Sequence, residues 1–489
     1  MAQTLARLAR RPIVVAFSLI LLALLMRAGV LANPLNGFDE QFYLLVGDRM
    51  VHAHAVPYVD IFDRKPLGLF LIAAAACLPT GDPLIRFELL AALSAAVTAL
   101  IVYHLIRRSA GTRAAWGGAI IYLAWLVFLE NDGAQAQVFM NLFTSVAALL
   151  TARALRYPAH AFGRTGTLAM LAAGIALQIK PTCVVEAAFF GLALLWTARK
   201  AGARPQRLIG LALFWVALGL APILAAYAWY AAHSYGHAFL FATFISPLHK
   251  LPDMPEVTRI GALEITAILL FPAIIAGLAP RAASHEARAE RRFVHLWLAA
   301  ALLGLIAWGA VTSPQYAAGA MLPFSVAAGY GFEARRARWF APAIALIALI
   351  VGQILIFKLR ELRGGPQQAA LLARAAQPTR GCLFVYDGPP ALYRLTHSCL
   401  LSAYVFPGHL NMADEADARA LGVDPAAETG RIMALHPETV VDTRPGYRWG
   451  NAQSHAILAR HLERDYRLVF ALHLRPHDTK LVYRLLPGR

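Results

Sequence analysis

Charged residues are scarce in this chain: Asp, Glu, Lys and Arg make up only 15% of its 489 residues, whereas 59% are hydrophobic. A soluble globular protein carries roughly 25% charged residues, so this chain has too few to cover a water-facing surface. Apolar runs of roughly 17–25 residues, each long enough to cross a bilayer core, recur from residue 12 to about residue 357. The composition therefore excludes an ordinary soluble protein and predicts a multi-pass membrane protein.

Acidic residues are fewer still, 28 against 45 Lys and Arg, and the net charge is +17. This excess does not predict nucleic-acid binding, because the sequence has no basic face with interleaved aromatic residues. The basic residues stand instead in short clusters between apolar runs, which is the positive-inside signal of membrane topology. The clusters are Arg7, Arg10, Arg11; Arg107, Arg108, Arg113; Arg153, Arg156, Arg164; Arg199, Lys200, Arg204, Arg207; Arg281, Arg288, Arg291, Arg292; and Arg335, Arg336, Arg338.

Cysteine is also rare, with four residues in the whole chain, which is too few for a disulfide scaffold. Cys77 and Cys183 lie in apolar segments and are expected to be packing residues. Cys382 and Cys399 lie in the terminal segment and can pair only if that segment faces an oxidising compartment, which the sequence leaves open. The first apolar run lacks a convincing A-x-A cleavage pattern, so we expect it to remain as an anchor.

The positions of the basic clusters predict on which side of the membrane each loop between spans lies. With the basic N-terminus inside, a first span at residues 12–32 leads out into a loop, 33–65. Residues 66–79 are apolar but only 14 long, which is typical of an interfacial or re-entrant helix. If they crossed the bilayer, every later basic cluster would fall outside. With them on the surface, the later clusters lie in the cytoplasm, and the remaining spans are 84–106, 114–130, 137–156, 164–179, 182–198, 208–231, 260–279, 293–311, 315–332 and 339–357.

The fold class expected is thus an α-helical polytopic membrane protein with about eleven transmembrane helices plus interfacial helices. Residues 1–357 form the predicted transmembrane domain. Residues 358–489 form a small extracytoplasmic α/β domain, since strand-like segments at 382–386, 439–442, 468–474 and 480–485 interleave with a helix near 452–462.

The first outer loop concentrates ionisable residues at the membrane surface: Asp39, Glu40, Asp48, Arg49, Asp60, Asp63, Arg64 and Lys65. A solvated loop with local salt bridges is the plain explanation. However, the interfacial helix that follows keeps these charges against the bilayer, where ionisable groups are costly and indicate function.

Glycosyl transfer from a lipid phosphate needs these residue types. A cation must stabilise the leaving phosphate, and Lys65 and Arg64 are the candidates. The acceptor hydroxyl needs a carboxylate base, for which Asp39 is the best candidate, with Glu40 orienting it or binding acceptor. A single base and one displacement predict inversion of the anomeric centre.

The pattern Asp39-Glu40-x-x-Tyr43, followed by Pro57-Tyr58-x-Asp60-x-x-Asp63-x-Lys65-Pro66, resembles the GT-C glycosyltransferases. More narrowly it is similar to glycosyltransferase family 39, the dolichyl-phosphate-mannose protein mannosyltransferase and aminoarabinose transferase-like group. The resemblance implies a GT-C-like transmembrane domain. It also assigns the catalytic role to Asp39, with support from Glu40, and contact with the lipid phosphate to Lys65.

Further positions along the chain resemble the family pattern less specifically. Arg86 opens the next span, Lys180-Pro181 ends a Gly-rich span, and Tyr316 begins a late Tyr-to-Pro span. The chain departs from the family pattern at Leu67, Gln137 and Gln315. The substrate-binding candidates are Tyr43, Tyr58, Asp60, Asp63, Arg64, Lys65, Arg86, Lys180 and Tyr316.

No cofactor is expected, although the departures leave a divalent cation open. His52 and His54 are two residues apart, which does not favour a metal site, and residues 232–259 carry no ligand pattern but are placed to cover the site as a lid. Neither a P-loop nor a dinucleotide-binding glycine motif occurs, which fits a lipid-linked rather than a nucleotide-linked donor.

The function expected is an inverting glycosyltransferase of the bacterial inner membrane. Its partners are a polyprenyl-phosphate-sugar donor and an acceptor that is a glycan, a lipid or a protein; nucleic acid is not one. The alternatives are a transporter or flippase of lipid-linked sugars and a non-enzymatic assembly protein. The nearly charge-free spans disfavour a transporter, and an assembly protein leaves the loop charges without a purpose.

Overall fold

A computed structural model of the chain describes residues 11–159, 163–309, 311–334, 340–475 and 478–488. The basic residues Arg7, Arg10, Arg335, Arg336 and Arg338, on which the topology prediction partly rests, lie outside these ranges. In the first half of the chain the helices are α1 Pro12–Arg27, α2 Phe38–His52, α3 Leu67–Cys77, α4 Pro83–Phe128, α5 Ala136–Arg156, α6 Arg164–Leu177, α7 Val184–Lys200 and α8 Pro205–Ala232.

The second half begins with helices and ends in a mixed region. Its helices are α9 Gly236–Leu240, α10 Ser246–His249, α11 Pro255–Gly277, α12 His285–Ala307, α13 Ala318–Gly331, α14 Phe340–Arg363, α15 Pro366–Ala376, α16 Ala391–Leu395, α17 Pro407–Asn411, α18 Ala418–Leu421, α19 Pro425–Ala434 and α20 Ala452–Asp465. The strands are β1 Leu383–Val385, β2 Thr439–Arg444, β3 Tyr466–Arg475 and β4 Asp478–Leu485.

Two compact units share these elements. The first, which we call the helical unit, comprises Met1–Leu31, Glu88–Ala226 and Met254–Ile356. The second, the mixed unit, comprises Ala32–Phe87, Tyr227–Asp253 and Phe357–Arg489. The terminal segment therefore forms one compact body with the first outer loop and with residues 227–253, although these segments are far apart in sequence.

The helical unit owes its helices to long apolar runs. Within the described residues, five helices are long and apolar enough to cross a membrane, and α4 is divided at Gly111, whose φ of 76° interrupts its 46 residues. The multi-pass membrane architecture is confirmed, whereas the number of spans stays a prediction. Glycine permits close helix contact: a Cβ on Gly174 would lie 2.5 Å from the carbonyl oxygen of Gly219.

The terminal segment of the mixed unit folds around a four-stranded sheet of order β1-β2-β4-β3, in which β1 and β2 are parallel and the other pairs antiparallel. Apolar side chains such as Phe384, Ile432, Val440 and Leu458 form its buried core. Cys382 and Cys399, whose pairing the sequence left open, form a disulfide. The predicted small C-terminal sheet is thereby confirmed, whereas a separate α/β domain over residues 358–489 stays a prediction.

Candidate active site

Helix α2 begins at the acidic pair. Gly37 precedes it with a φ of 52°, a conformation that favours glycine, and a Cβ there would lie 2.9 Å from the Glu40 carboxyl carbon. Asp39 and Glu40 thus occupy the first helical turn, where the helix dipole stabilises negative charge. Glu40 is buried and accepts a hydrogen bond from Asn36 Nδ2 at 3.4 Å. Asp39 is partly exposed, and its carboxylate has no hydrogen bond or ion pair with any residue that the structure describes.

Helix α3 packs directly against α2. The two helices approach so closely that a Cβ on Gly47 would lie 2.5 Å from the backbone carbon of Ala73. The end of α3 is capped by Arg86, whose guanidinium donates to the carbonyls of Ala76 at 2.6 Å and Thr80 at 2.8 Å, and also to that of Pro79. In this structure Arg86 therefore satisfies one of the last carbonyls of α3, that of Ala76, together with carbonyls of the turn that follows.

Residues 56–66, which we call the lysine turn, present Lys65. Tyr58 is buried with a φ of 68°, and its hydroxyl donates to the Lys65 carbonyl at 2.8 Å. Asp63 is buried and accepts from the Lys65 amide at 2.6 Å. Asp60, at the exposed tip, accepts from the Val56 amide at 2.7 Å. The peptide groups on both sides of Lys65 are thereby held, and a non-glycine residue at positive φ is the kind of strain found at functional sites.

Lys65 meets helix α2 at Tyr43, where its Nζ lies 5.7 Å from the ring centroid. Tyr43 follows Asp39 by four residues, so the two side chains share one face of α2. Asp39 and Lys65 are therefore each placed beside Tyr43, a ring that is itself buried. Their roles as base and phosphate contact stay predictions.

The side chain of Arg64 pairs with the terminal segment. Its guanidinium donates to both carboxylate oxygens of Glu415, at 2.5 and 2.6 Å, and to the hydroxyl of Ser246 at 2.7 Å. Beside this pair, Lys250 forms an ion pair with Asp414 at 2.7 Å. Arg64 thus ties the lysine turn to both other segments of the mixed unit. Bidentate pairing of this kind uses the donor fork of arginine fully.

His409, which no sequence pattern singled out, lies behind the lysine turn. Its ring is buried among Phe62, Phe406, Tyr404 and Phe42, with centroid distances between 5.2 and 6.5 Å. Burial, and then the positive charges of Arg64, Lys65 and Lys250, hold the pKa of this imidazole well below its usual range. His409 is therefore neutral at neutral pH. The sequence gave no signal for this contact, because His409 is a single histidine that belongs to no motif.

Arg49 is a second residue that the sequence did not single out as a site residue. It lies in the last turn of α2, and its guanidinium donates to the carbonyls of Ser398 at 2.6 Å and Tyr393 at 3.3 Å. The amide of Ala391 donates to Gln41 on the same helix at 3.3 Å. Helix α2 is therefore anchored along its length to the terminal segment, which fixes the direction in which Asp39 points.

Lys180 and Tyr316 form a separate pair inside the helical unit. Lys180 is buried, and its Nζ lies 4.6 Å from the Tyr316 ring centroid. The carbonyl of Gln315 accepts from Asn131 Nδ2 and Gln137 Nε2, each at 3.1 Å. Gln137 and Gln315, two of the positions that depart from the family pattern, are thus bonded to each other.

The remaining candidates from the sequence are the histidines His52 and His54 and the expected lid, residues 232–259. His52 pairs with Asp48 at 3.3 Å, one helical turn away, and His54 lies exposed. Within the described ranges, no three His, Cys, Asp or Glu side chains are close enough together to hold a metal ion. Residues 232–259, expected to act as a lid, contact the terminal segment through Lys250 and Ser246, whose hydroxyl donates to the Ala420 carbonyl.

The comparisons with known proteins point to the GT-C-like membrane glycosyltransferases as the class that this chain resembles. Residues 63–229 match the family model of dolichyl-phosphate-mannose-protein mannosyltransferases, which confirms the resemblance seen in the sequence. The matched segment includes Lys65 and Lys180, while Asp39 lies before it. No curated protein matches the chain in sequence.

The same fold occurs in ArnT from Cupriavidus metallidurans. The crystal structure of ArnT bound to undecaprenyl phosphate matches with a TM-score of 0.61 at 15% identity, covering 98% of each chain. The apo structure of ArnT also matches with a TM-score of 0.61, at 14% identity, over 96% of this chain and 97% of that one. At this level of identity the similarity shows that the two proteins share a fold over almost their whole lengths.

Proposed function

We propose that this chain is an inverting glycosyltransferase that transfers a sugar from a polyprenyl-phosphate donor to an acceptor at the outer face of the bacterial inner membrane. The observation that carries the proposal is an unengaged carboxylate, Asp39, one helical turn before Tyr43, whose ring lies 5.7 Å from Nζ of Lys65. The family match supports the transferase class, and the undecaprenyl phosphate bound to ArnT supports a lipid phosphate as the donor carrier.

In the proposed reaction, Asp39 takes the proton of the acceptor hydroxyl as its oxygen attacks the anomeric carbon. The bond between that carbon and the phosphate oxygen breaks, and the electron pair leaves with the polyprenyl phosphate. Lys65 stabilises the negative charge that develops there. Because a single displacement occurs and no second carboxylate attacks the sugar, the anomeric configuration inverts.

The other residues of the loop have supporting roles in this proposal. Tyr58 and Asp63 hold the peptide groups of Lys65, and Asp60 holds the tip of the turn. Glu40 stabilises the start of α2. The Arg64 guanidinium is engaged with Glu415, and we assign the phosphate contact to Lys65. Lys180 beside Tyr316 remains a second candidate for binding an anionic or sugar group.

We place the N-terminus in the cytoplasm and the terminal domain, residues 358–489, in the periplasm. The basic clusters support this orientation through the positive-inside rule. The disulfide between Cys382 and Cys399 supports it independently, because disulfides persist in oxidising compartments.

Replacement of the proposed base tests the function. In membranes supplied with a labelled polyprenyl-phosphate sugar, Asp39→Asn should reduce transfer by about 100-fold or more, the usual contribution of a general base. The unfolding temperature should change only slightly, because the Asp39 carboxylate makes no side-chain contact among the described residues and its interaction with the helix dipole is worth about 1 kcal/mol or less.

Asp60→Asn is the matched control, since it removes the same charge from the same loop but keeps an acceptor for the Val56 amide; it should retain transfer. Full activity of Asp39→Asn would sink the assignment of the base. Uptake of lipid-linked sugar into liposomes without any transfer would instead favour the transporter.

A further inference from the structure

A basic cleft opens where three helices of the helical unit end. It lies at the end of α11, the start of α12 and the end of α13, and has a volume of about 550 Å³. Arg281, Arg288, Arg291, Arg292 and His295 line it together with apolar residues, and no acidic side chain does. We call these five residues the basic cleft.

Most of the positive charge in the cleft is uncompensated. Arg291 is nearly buried and is neutralised, because its guanidinium pairs with Glu333, donates to the Pro280 carbonyl at 2.5 Å and lies 4.7 Å from the Tyr330 ring centroid. The side chains of Arg281, Arg288 and Arg292 form no hydrogen bond or ion pair with any described residue. Three positive charges therefore line one concave surface without a counterion among the residues that the structure describes.

An adjoining cavity of about 340 Å³ shows that this imbalance is specific to the cleft. The adjoining cavity is also rich in arginine, but Glu286, Glu290 and Glu333 line it as well. Arg156 there lies 3.4 Å from Glu286 and 3.9 Å from Glu290. The same end of the helical unit thus contains one cavity in which glutamates pair with arginines and one whose described lining has no acidic side chain.

The surface beside the cleft is apolar. On α12, Leu296 lines the cleft itself and is 49% exposed, and Leu303 further along the helix is 59% exposed. At the end of α11, Ile274 is 54% exposed. A ligand that extends from the cleft along these helices therefore needs an anionic end and a hydrophobic body.

We propose that the basic cleft binds the phosphate headgroup of an anionic phospholipid, with the acyl chains against the exposed apolar faces of α11 and α12. Arginine suits this role because its planar donor fork matches phosphate oxygens. Basic pockets between membrane helices on the cytoplasmic side recognise such headgroups. These arginines form one of the clusters that the positive-inside rule places in the cytoplasm, so the lipid comes from the inner leaflet.

The test measures lipid retention by the full-length protein. Purified protein in a neutral detergent is titrated with phosphatidylglycerol, and bound lipid is counted by native mass spectrometry. Each arginine near a membrane surface strengthens anionic-lipid binding by roughly fivefold, so Arg288→Gln/Arg292→Gln should weaken the tightest binding by about thirty-fold. Phosphatidylcholine should not bind tightly to either protein.

Arg113→Gln/Arg204→Gln is the matched control, because both residues are exposed, belong to clusters assigned to the same side and lie outside the cleft. It should bind phosphatidylglycerol like the unmodified chain. Equal binding by the cleft variant, or equal weakening in the control, overturns the proposal. Competition by inorganic phosphate at the same concentration as the lipid also overturns it, since the cleft would then bind a free anion. Sugar transfer is not part of this measurement, so the outcome is independent of the proposed activity.

Discussion

The start of helix α2 and the lysine turn both carry charged residues of the first outer loop, but they use them in opposite ways. In the lysine turn, Asp60 and Asp63 accept backbone hydrogen bonds and Arg64 pairs with Glu415. At the start of α2, the Asp39 carboxylate has no such partner in the part of the chain that the structure describes. The lysine turn uses its charges to hold its backbone conformation, whereas the start of α2 leaves the Asp39 carboxylate available to a substrate.

This difference separates structural from chemical roles within one charged loop. A carboxylate that accepts short hydrogen bonds from the backbone is a poor base, because those bonds stabilise its ionised form. Asp39 has no such bonds and can accept a proton from a substrate. Arg64 differs from Asp39 in the same way, since its guanidinium is engaged by the Glu415 carboxylate.

The largest effect that this comparison predicts is on stability, at Arg64. Its side chain is only 15% exposed and that of Glu415 only 5%, so Arg64→Gln leaves a carboxylate buried without its cation. Breaking a buried pair in this way costs about 3–5 kcal/mol. The unfolding temperature in detergent should fall sharply, as it should for Glu415→Gln. The double variant Arg64→Leu/Glu415→Leu should recover part of the loss, because neither charge is then left alone.

Lys65→Gln is the companion variant that sharpens the contrast. It should lower the unfolding temperature less than Arg64→Gln does, but raise the KM for the lipid-phosphate donor about 10- to 100-fold, since a hydrogen bond to a charged group contributes about 1.5–3 kcal/mol. If Arg64→Gln instead impaired donor binding without loss of stability, the roles of the two neighbouring cations would be exchanged.

Much of the fold was predictable because it depends on local patterns. Long apolar runs predict membrane helices, and turn residues around short apolar stretches predicted strands that the structure confirms, such as β1 at Leu383–Val385 within 382–386. The acidic pair and the Lys-Pro element were found because their order along the chain is itself the signal. The disulfide was left open, since pairing depends on a compartment that spacing does not reveal.

Contacts between distant segments were not predictable. Arg64 was expected at the phosphate, yet its partner Glu415 lies 351 residues later. The guanidinium of Arg86, a predicted substrate contact that stays a prediction, caps the end of α3, which depends on how the chain turns after Cys77. His409 belongs to no motif. In each case the side chain has a partner that only the folded arrangement of the mixed unit provides.

A smaller effect is expected at low pH, through His409. Its pKa in the folded state lies below the usual value of about 6.5, so below that pH the unfolded chain takes up a proton that the folded chain does not. Stability should therefore fall as the pH decreases from neutrality towards the folded-state pKa. Unfolding temperatures measured across this range should fall less steeply for His409→Phe, which fills the aromatic surroundings without titrating. The exposed His54→Gln is the control, and an equal decrease of the slope in both variants would contradict the role of His409.

The smallest effect is expected at the tip of the lysine turn, at Asp60. The carboxylate is exposed, so its bond to the Val56 amide at 2.7 Å is worth about 1 kcal/mol or less. Asp60→Ala should therefore lower the unfolding temperature only slightly, and Asp60→Asn hardly at all, because the amide oxygen can still accept. Transfer by Asp60→Ala should fall a few fold at most, through looser presentation of Lys65. A loss of transfer as large as that of Asp39→Asn would mean that Asp60 also contacts the substrate. The lysine turn would then have a chemical role and not only a structural one.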